Sequence, residues 1–171
     1  RGWSSPVIVK GKVFLTTVDR EGGFEEAKKG LYFGGERMKP APVEHRWLVL
    51  CYDFATGRKL WEKEVAKAKP ATPVHIKNTY ASETQTTDGE RIYSYFGNQG
   101  VWCHDLDGKL IWSKKFDPMP TQFGWGTAAS PILHENRLII VNDNEKDSFM
   151  VCFDKKDGKE LWKLKRDEKS N

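Results

Sequence analysis

The sequence predicts an all-β fold built from repeated four-stranded antiparallel units, and three observations predict it. A phrase that starts at Asp, passes a Gly and ends at Trp occurs three times, with Gly and Trp four residues apart each time. The Trp residues are 51 and 50 positions apart (112 − 61 and 162 − 112). Short β-branched and aromatic runs, separated by turn residues, fill each interval. A period of roughly 40–50 residues with one aromatic signature per unit is typical of β-propeller blades.

The three copies of the phrase define nine positions that we expect to be structural. They are Asp53, Gly57 and Trp61, then Asp105, Gly108 and Trp112, and finally Asp154, Gly158 and Trp162. The Asp accepts hydrogen bonds across its turn, the Gly adopts a positive φ, and its flat backbone offers a surface for a Trp ring from a neighbouring blade. In the second copy the interval from Asp to Gly is three rather than four, so its turn is one residue shorter.

The repeat divides residues 1–171 into three blades of a partial propeller. Blade 1 covers 3–66 with an insertion at 18–46, blade 2 covers 82–117 and blade 3 covers 128–167. Each blade contains strands a, b, c and d in chain order. The predicted strands are 7–9, 13–17, 47–52 and 59–65 in blade 1, then 83–87, 91–96, 101–104 and 110–116, and finally 130–133, 137–141, 149–153 and 160–164. A short helix is predicted at 24–29, inside the insertion.

Three blades are fewer than the four to eight of a closed propeller. We therefore expect an arc of a seven- or eight-bladed ring, which the remaining blades or a second copy would close. An open blade face is otherwise an aggregation hazard.

The order of the strands assigns the connections to two faces. The a–b and c–d turns are short and share one end of the blades, which we call the short-turn face. The insertion at 18–46 and the linkers 66–81 and 117–128 share the other end, which we call the long-loop face. Because loops on a rigid scaffold commonly carry function, binding is expected on the long-loop face. Its candidate residues are Trp3, Tyr80, Glu83, Asn98, Gln99, Trp125, Asn142 and Asp143.

Composition excludes several classes of partner. The chain has 28 basic and 24 acidic residues, a net charge of +4 without a clustered basic stripe, so nucleic-acid binding is not expected. No apolar run approaches the roughly 18 residues that cross a bilayer as a helix. The acidic stretch 142–147 lacks the spacing and the Gly of a calcium loop, and the four histidines lack zinc spacing. No metal site is predicted.

The three cysteines occupy one structural position three times. Cys51, Cys103 and Cys152 each precede the Asp of the phrase by two residues. Equivalent positions in neighbouring blades are roughly 10 Å apart, whereas a disulfide needs Cα atoms closer than about 7 Å. We expect unpaired cysteines buried in the core between the blades.

The phrase, preceded by a strand that begins Ser-Pro, resembles the repeat of the quinoprotein dehydrogenases and of their non-catalytic relatives, including the outer-membrane assembly lipoprotein BamB. The resemblance covers nearly the whole chain outside the insertion. It implies a periplasmic or secreted protein. For the dehydrogenases it also implies pyrroloquinoline quinone (PQQ) and calcium on the propeller axis, beside a Trp platform, carboxylates, an Arg and often a disulfide of adjacent cysteines.

Two functions follow from that resemblance. The chain has no adjacent cysteine pair and no assembled catalytic set, so no catalytic residue and no cofactor is assigned. The favoured hypothesis is a non-catalytic scaffold that binds a protein, a peptide or a carbohydrate on the long-loop face. The alternative is a fragment of a PQQ- and calcium-dependent alcohol or sugar dehydrogenase whose catalytic residues lie outside this arc, and activity as an enzyme stays open.

Overall fold

The computed structural model describes residues 1–24 and 39–170. Within them, twelve strands form three four-stranded antiparallel sheets, so the predicted fold class is confirmed. The sheets contain β1 (Val7–Val9), β2 (Lys12–Arg20), β3 (His45–Asp53) and β4 (Lys59–Ala68), then β5 (Thr86–Thr87), β6 (Arg91–Tyr95), β7 (Gly100–Asp105) and β8 (Leu110–Lys115), and finally β9 (Ile132–His134), β10 (Arg137–Asn142), β11 (Phe149–Asp154) and β12 (Glu160–Lys165). Two short 3₁₀ turns, Gly97–Gln99 and Gln122–Gly124, lie in the connections.

Most strand bounds differ from the sequence prediction by one to three residues, and two differences change a connection or a strand. In blade 1 the β2–β3 ladder continues to the pair Arg20 and His45, so the connection runs over 21–44 rather than 18–46. In blade 2 the first strand is two residues long, because the Thr84 amide donates to Ser130 Oγ (2.9 Å) instead of joining the ladder. The helix predicted at 24–29 falls, after its first residue, outside the described residues.

Each blade carries the same irregularity at the same place. The three cysteines lie opposite the three repeat tryptophans, and a register shift follows immediately in all three blades. An extra residue of this kind bends the strand and re-aims the side chains beside it. The cysteines are buried and unpaired, as predicted.

The Trp of each of the first two blades lies on the c–d turn of the following blade. Trp61 Nε1 donates to the carbonyl of Leu106 (3.1 Å), and Trp112 Nε1 donates to the carbonyl of Lys155 (2.9 Å). A Cβ added at Gly158 would lie 2.6 Å from the Trp112 ring, and one at Gly108 would lie 3.0 Å from the Trp61 ring. The approach of these rings therefore requires glycine in both turns.

The Asp of the phrase closes each turn. Asp53 Oδ1 accepts hydrogen bonds from the amide of Thr56 (2.8 Å) and from its hydroxyl (2.6 Å), and these bonds hold the pKa of Asp53 below its usual range. Asp105 Oδ1 accepts from the amides of Asp107 and Lys109, and Asp154 Oδ1 accepts from that of Lys156. The turns are thus set locally, by residues within the phrase.

Strands β1, β5 and β9 lie next to one another on the inner side of the arc, because β5 contacts both of the others. The core lies between successive sheets. Blades 2 and 3 enclose an aromatic and aliphatic cluster that includes Tyr93, Trp112 and Phe149. Blades 1 and 2 enclose two smaller clusters, one around Trp47 and Trp102 and one around Phe14, Cys51 and Ile92.

Candidate functional site

The long-loop face is built from connections that are hydrogen-bonded to one another. The side chain of Asn98, in the b–c connection of blade 2, joins the two linkers. Its Nδ2 donates to Thr72 Oγ1 (3.2 Å) and to the carbonyl of Met119 (2.8 Å), and its Oδ1 accepts from the Met119 amide (3.1 Å). Asn98 therefore braces this face rather than offering its amide to a ligand.

The two linkers also contact each other directly. The His75 amide and Asn78 Nδ2 both donate to the carbonyl of Trp125, at 3.3 and 2.8 Å. The third blade is attached in the same way, since the Glu145 amide donates to the carbonyl of Pro120 (2.9 Å). Three segments far apart in sequence thus form one continuous surface.

Two aromatic side chains project from that surface. Phe123 is 53% exposed and Trp125 is 42% exposed, and their ring centroids are 5.3 Å apart. The His75 ring meets Trp125 edge-on at 6.2 Å. Large apolar side chains exposed together on a braced loop are typical of a contact surface.

The backbone that presents this pair is strained. Phe123 has φ 51° and ψ 14°, the left-handed region that side chains other than Gly, Asn and Asp rarely adopt. Gly124 (φ 67°) and Gly126 (φ 86°) extend the unusual path, and the Gly126 amide donates to Thr121 Oγ1 (2.8 Å). Such strain costs about 1–3 kcal/mol and clusters at functional sites, so it supports a role for the exposed pair.

A small aromatic cavity lies beside the first linker. Its volume is about 50 Å³, and its lining includes Phe24, His45, His75 and Tyr80. The Tyr80 hydroxyl donates to the carbonyl of Thr72 (2.8 Å), which fixes its ring edge-on to His45 at 5.3 Å. Burial lowers the pKa of His45, and the positive charge of the cavity wall comes from Arg1 and Arg20, which also line it.

Glu83 lies beneath the face rather than on it. Its side chain is buried, Oε1 accepts from the Thr127 hydroxyl (2.6 Å) and Oε2 accepts from the Ser82 amide (3.2 Å). Burial raises the pKa of this carboxyl to about 7. The second linker therefore covers this carboxyl through Thr127.

The other predicted residues separate into exposed and buried groups. Trp3 is 57% exposed, and the Arg1 guanidinium lies 5.7 Å from its ring. Gln99 is half-buried in the wall of a second small pocket. Asn142 is buried and donates to the Tyr95 hydroxyl (3.0 Å). Asp143 accepts two hydrogen bonds from Arg166, at 2.7 and 3.2 Å.

The described residues do not fit a calcium and quinone site. Calcium takes six to eight oxygen ligands, but no three His, Cys, Asp or Glu side chains converge anywhere in residues 1–24 and 39–170. Glu83 already accepts two hydrogen bonds. In the acidic loop, the Asn144 amide group bonds to Asn142, Lys146 and Asp147 within the loop itself. No catalytic step follows from this arrangement.

Sequence reasoning missed two kinds of residue. The first is Phe123, which is exposed beside Trp125. The consecutive dipeptides Phe-Gly and Trp-Gly in this linker were the sequence pattern that could have indicated it. Lys12 and Arg91 each donate to the same turn carbonyl as a repeat Trp, at 3.0 and 3.3 Å. Their signal was a basic residue at the start of every strand b, which includes Arg137 in blade 3.

Comparison with known proteins agrees with this architecture. Residues 45–171 match the family model PQQ_2, described as "Outer membrane protein assembly factor BamB". No curated protein matches the chain. No helix in the described part of the chain is long and apolar enough to cross a membrane.

Solved structures of three enzymes share the fold. A quinohemoprotein alcohol dehydrogenase from Pseudomonas putida HK5 is 14% identical, with a TM-score of 0.56 over 95% of this chain and 20% of that one. The corresponding enzyme from Comamonas testosteroni is 14% identical, with a TM-score of 0.51 over 74% and 20%. A europium-containing methanol dehydrogenase is 10% identical, with a TM-score of 0.50 over 94% and 24%. The chain thus spans 20–24% of the length of these enzymes.

Proposed function

The chain belongs to the PQQ_2 family of propeller repeats. We propose that it is a non-catalytic scaffold that binds a protein, a peptide or a carbohydrate on its long-loop face. The observation that carries this proposal is the exposed Phe123–Trp125 pair on its strained, braced loop. The family description names an assembly factor of the outer membrane, which supports our proposal that the chain acts in the periplasm or outside the cell.

The chemistry of the pair suits these ligands. Aromatic rings contribute a large apolar contact area at a low cost in side-chain entropy, and the Trp125 indole also offers an N–H donor. Residues 69–81 of the linker beside it contain Lys69 and Lys77 and no acidic residue. We therefore favour a ligand with an apolar or ring face and a neutral or acidic rim.

Isothermal titration calorimetry tests this proposal directly. The probes are cello- and chito-oligosaccharides and extended peptides that contain aromatic and acidic residues. Trp125→Ala should weaken binding of an accepted probe by more than about tenfold, as expected for loss of an aromatic anchor. Phe54→Ala is the matched control, because Phe54 is 59% exposed on the opposite, short-turn face. Equal loss in both variants, or no binding of any probe, would reject the proposal.

The alternative is an arc of a PQQ- and calcium-dependent dehydrogenase, and the fold that it shares with three dehydrogenases favours it. The alternative places the catalytic residues outside this arc, so the two functions are separated with the longer chain that it requires. That chain is incubated with PQQ and calcium, and reduction of an artificial electron acceptor by alcohols and sugars is measured. The scaffold proposal predicts no turnover and no quinone binding. Substrate-dependent reduction would establish the dehydrogenase instead.

A further inference from the structure

A groove separates blades 2 and 3 on the outer side of the arc, and we call it the interblade groove. Its volume is about 210 Å³. Its base is formed by Phe149, Val151 and Phe153 of β11, and the half-buried side chains of Phe116 and Met119 line its blade 2 side. Both walls of the groove belong to blades that the structure describes completely, so its shape is set by those two blades.

The groove exists because blade 3 has a small side chain where blade 2 has a large one. Trp102 immediately precedes Cys103, and its ring is 4% exposed and packed into the blade 1–2 junction. Val151 immediately precedes Cys152, so it occupies the equivalent position and faces the blade 2–3 junction. Because a Val side chain is much smaller than an indole, the space that Trp102 fills in one junction stays open in the other.

The middle of the interblade groove is positively charged. Lys114 of β8 and Lys163 of β12 line it from opposite walls. The Lys163 Nζ lies 4.1 Å from the centroid of the Phe149 ring, and no carboxylate of the described residues lies within 4 Å of either ammonium group. The two acidic side chains of the lining, Asp117 and Glu160, follow β8 and begin β12, so they lie towards opposite ends. A carboxylate between the two lysines would therefore relieve the repulsion of like charges.

An unpaired strand edge runs beside the groove. β8 is the last strand of the sheet β5-β6-β7-β8, so its outer edge pairs with no other strand of the described residues. Such an edge presents a row of backbone donors and acceptors that an extended peptide can pair with. In this mode the backbone hydrogen bonds give affinity, and alternate side chains of the peptide enter the neighbouring pockets.

We propose that the interblade groove binds an extended acidic peptide segment of a partner protein. The segment adds a strand to β8, places an apolar side chain against Phe116 and Met119, and places a carboxylate between Lys114 and Lys163. A peptide is the occupant because the strand edge recognises a polypeptide backbone, which a carbohydrate lacks. This inference goes beyond the function proposed for the long-loop face, because it uses a different surface.

Fluorescence anisotropy on the full chain tests the proposal. The probes are short labelled peptides in which Asp or Glu alternates with Leu or Phe, and the same peptides with Lys at the acidic positions. An acidic probe should bind at least about tenfold more tightly than its Lys counterpart, and its affinity should fall as salt is added. Equal binding of the two kinds of probe, or no binding of any acidic probe, would overturn the proposal.

Methylation of the peptide backbone tests the strand addition separately. Because a strand pairs with one edge through alternate amides, the acidic probe is N-methylated at every second residue in each of the two possible registers. One register should lose at least about tenfold in affinity, and the other should retain most of its affinity. Two methylated probes that both bind like the unmodified one would contradict pairing with β8.

Variants of the groove locate the binding site. Lys114→Glu/Lys163→Glu should weaken the acidic probe at least about tenfold, whereas Lys156→Glu should not, because Lys156 is exposed on a c–d turn outside the groove. Val151→Trp should also weaken binding, since it places in this junction the side chain that fills the other one. The charge-reversal variants test the proposal whether or not the larger side chain is tolerated.

The variant Trp125→Ala separates this inference from the proposed function. Trp125 does not line the interblade groove, so its removal should leave the affinity of the acidic probe unchanged. A loss of affinity in Trp125→Ala would place the probe on the long-loop face and overturn the groove. Equal losses in Lys114→Glu/Lys163→Glu and Lys156→Glu would also overturn it, because the attraction would then depend on overall charge alone.

Discussion

The two junctions between blades use the same repeat phrase but are filled differently. The blade 2–3 junction is packed with aromatic and aliphatic side chains, among them Tyr93, Leu138 and Phe153. The blade 1–2 junction contains the chain's two described buried side-chain atoms without a hydrogen-bond partner, Gln85 Nε2 and His104 Nδ1. The phrase therefore determines how a Trp contacts a turn. The other residues of each junction determine whether its buried polar atoms have hydrogen-bond partners.

The difference has an energetic meaning. A buried polar atom without a partner costs about 1–3 kcal/mol, so the blade 1–2 junction carries a penalty that its neighbour lacks. The same junction holds His104, whose pKa burial lowers to about 4. We expect it to be the weaker of the two.

The largest expected effect comes from removing a covered Trp. Trp112→Ala should lower the free energy of unfolding by about 3–5 kcal/mol, because it removes a nearly buried aromatic side chain. Trp61→Ala should cost less, since Trp61 is only half-buried. Chemical denaturation measures both, and a larger loss for Trp61→Ala would reverse our ranking of the junctions.

Removing the Glu83 charge should change how stability depends on pH. Burial raises the pKa of Glu83 to about 7 in the folded chain, from an ordinary 4.5. The folded state then holds the proton more tightly, so this residue's contribution falls as pH rises from 4.5 to 7, by about 2 kcal/mol between pH 5 and 7. Glu83→Gln should abolish that loss. Unfolding curves that keep the same pH slope in the variant would refute the assignment.

His104 should change the pH dependence of stability in the opposite direction. Burial, followed by the nearby Lys63 charge, lowers the pKa of His104 to about 4, from an ordinary 6.5. The unfolded chain then binds the proton more tightly, so stability falls as pH drops from 6.5 towards 4, by about 2 kcal/mol between pH 7 and 5. His104→Phe should remove this loss on acidification, and exposed His134→Phe is the control. Between pH 5 and 7 the contribution of His104 should therefore oppose that of Glu83.

Residues of the repeat phrase were predictable from sequence because they act locally. Asp53 and Gly57 close a turn with atoms a few residues away, and their counterparts do the same in the other blades. The strands followed from β-branched runs bounded by these turns. The burial of Glu83 was not predictable, since it depends on Thr127, 44 positions away, folding over it. Phe123 was missed because its exposure depends on a left-handed backbone conformation that no local sequence pattern predicted.

The most direct test of the repeated junction is to add one methyl group to two equivalent glycines. Gly158→Ala and Gly57→Ala share a φ of 71°, so each pays about 1–2 kcal/mol for a left-handed Ala. Only Gly158 lies under a Trp ring, where the added Cβ would be 2.6 Å from Trp112. We would measure the unfolding free energy of each variant in the otherwise unchanged chain, where a Cβ at Gly57 meets nothing within 4 Å. The account predicts that Gly158→Ala costs at least about 1–3 kcal/mol more, and equal losses at the two positions would contradict it.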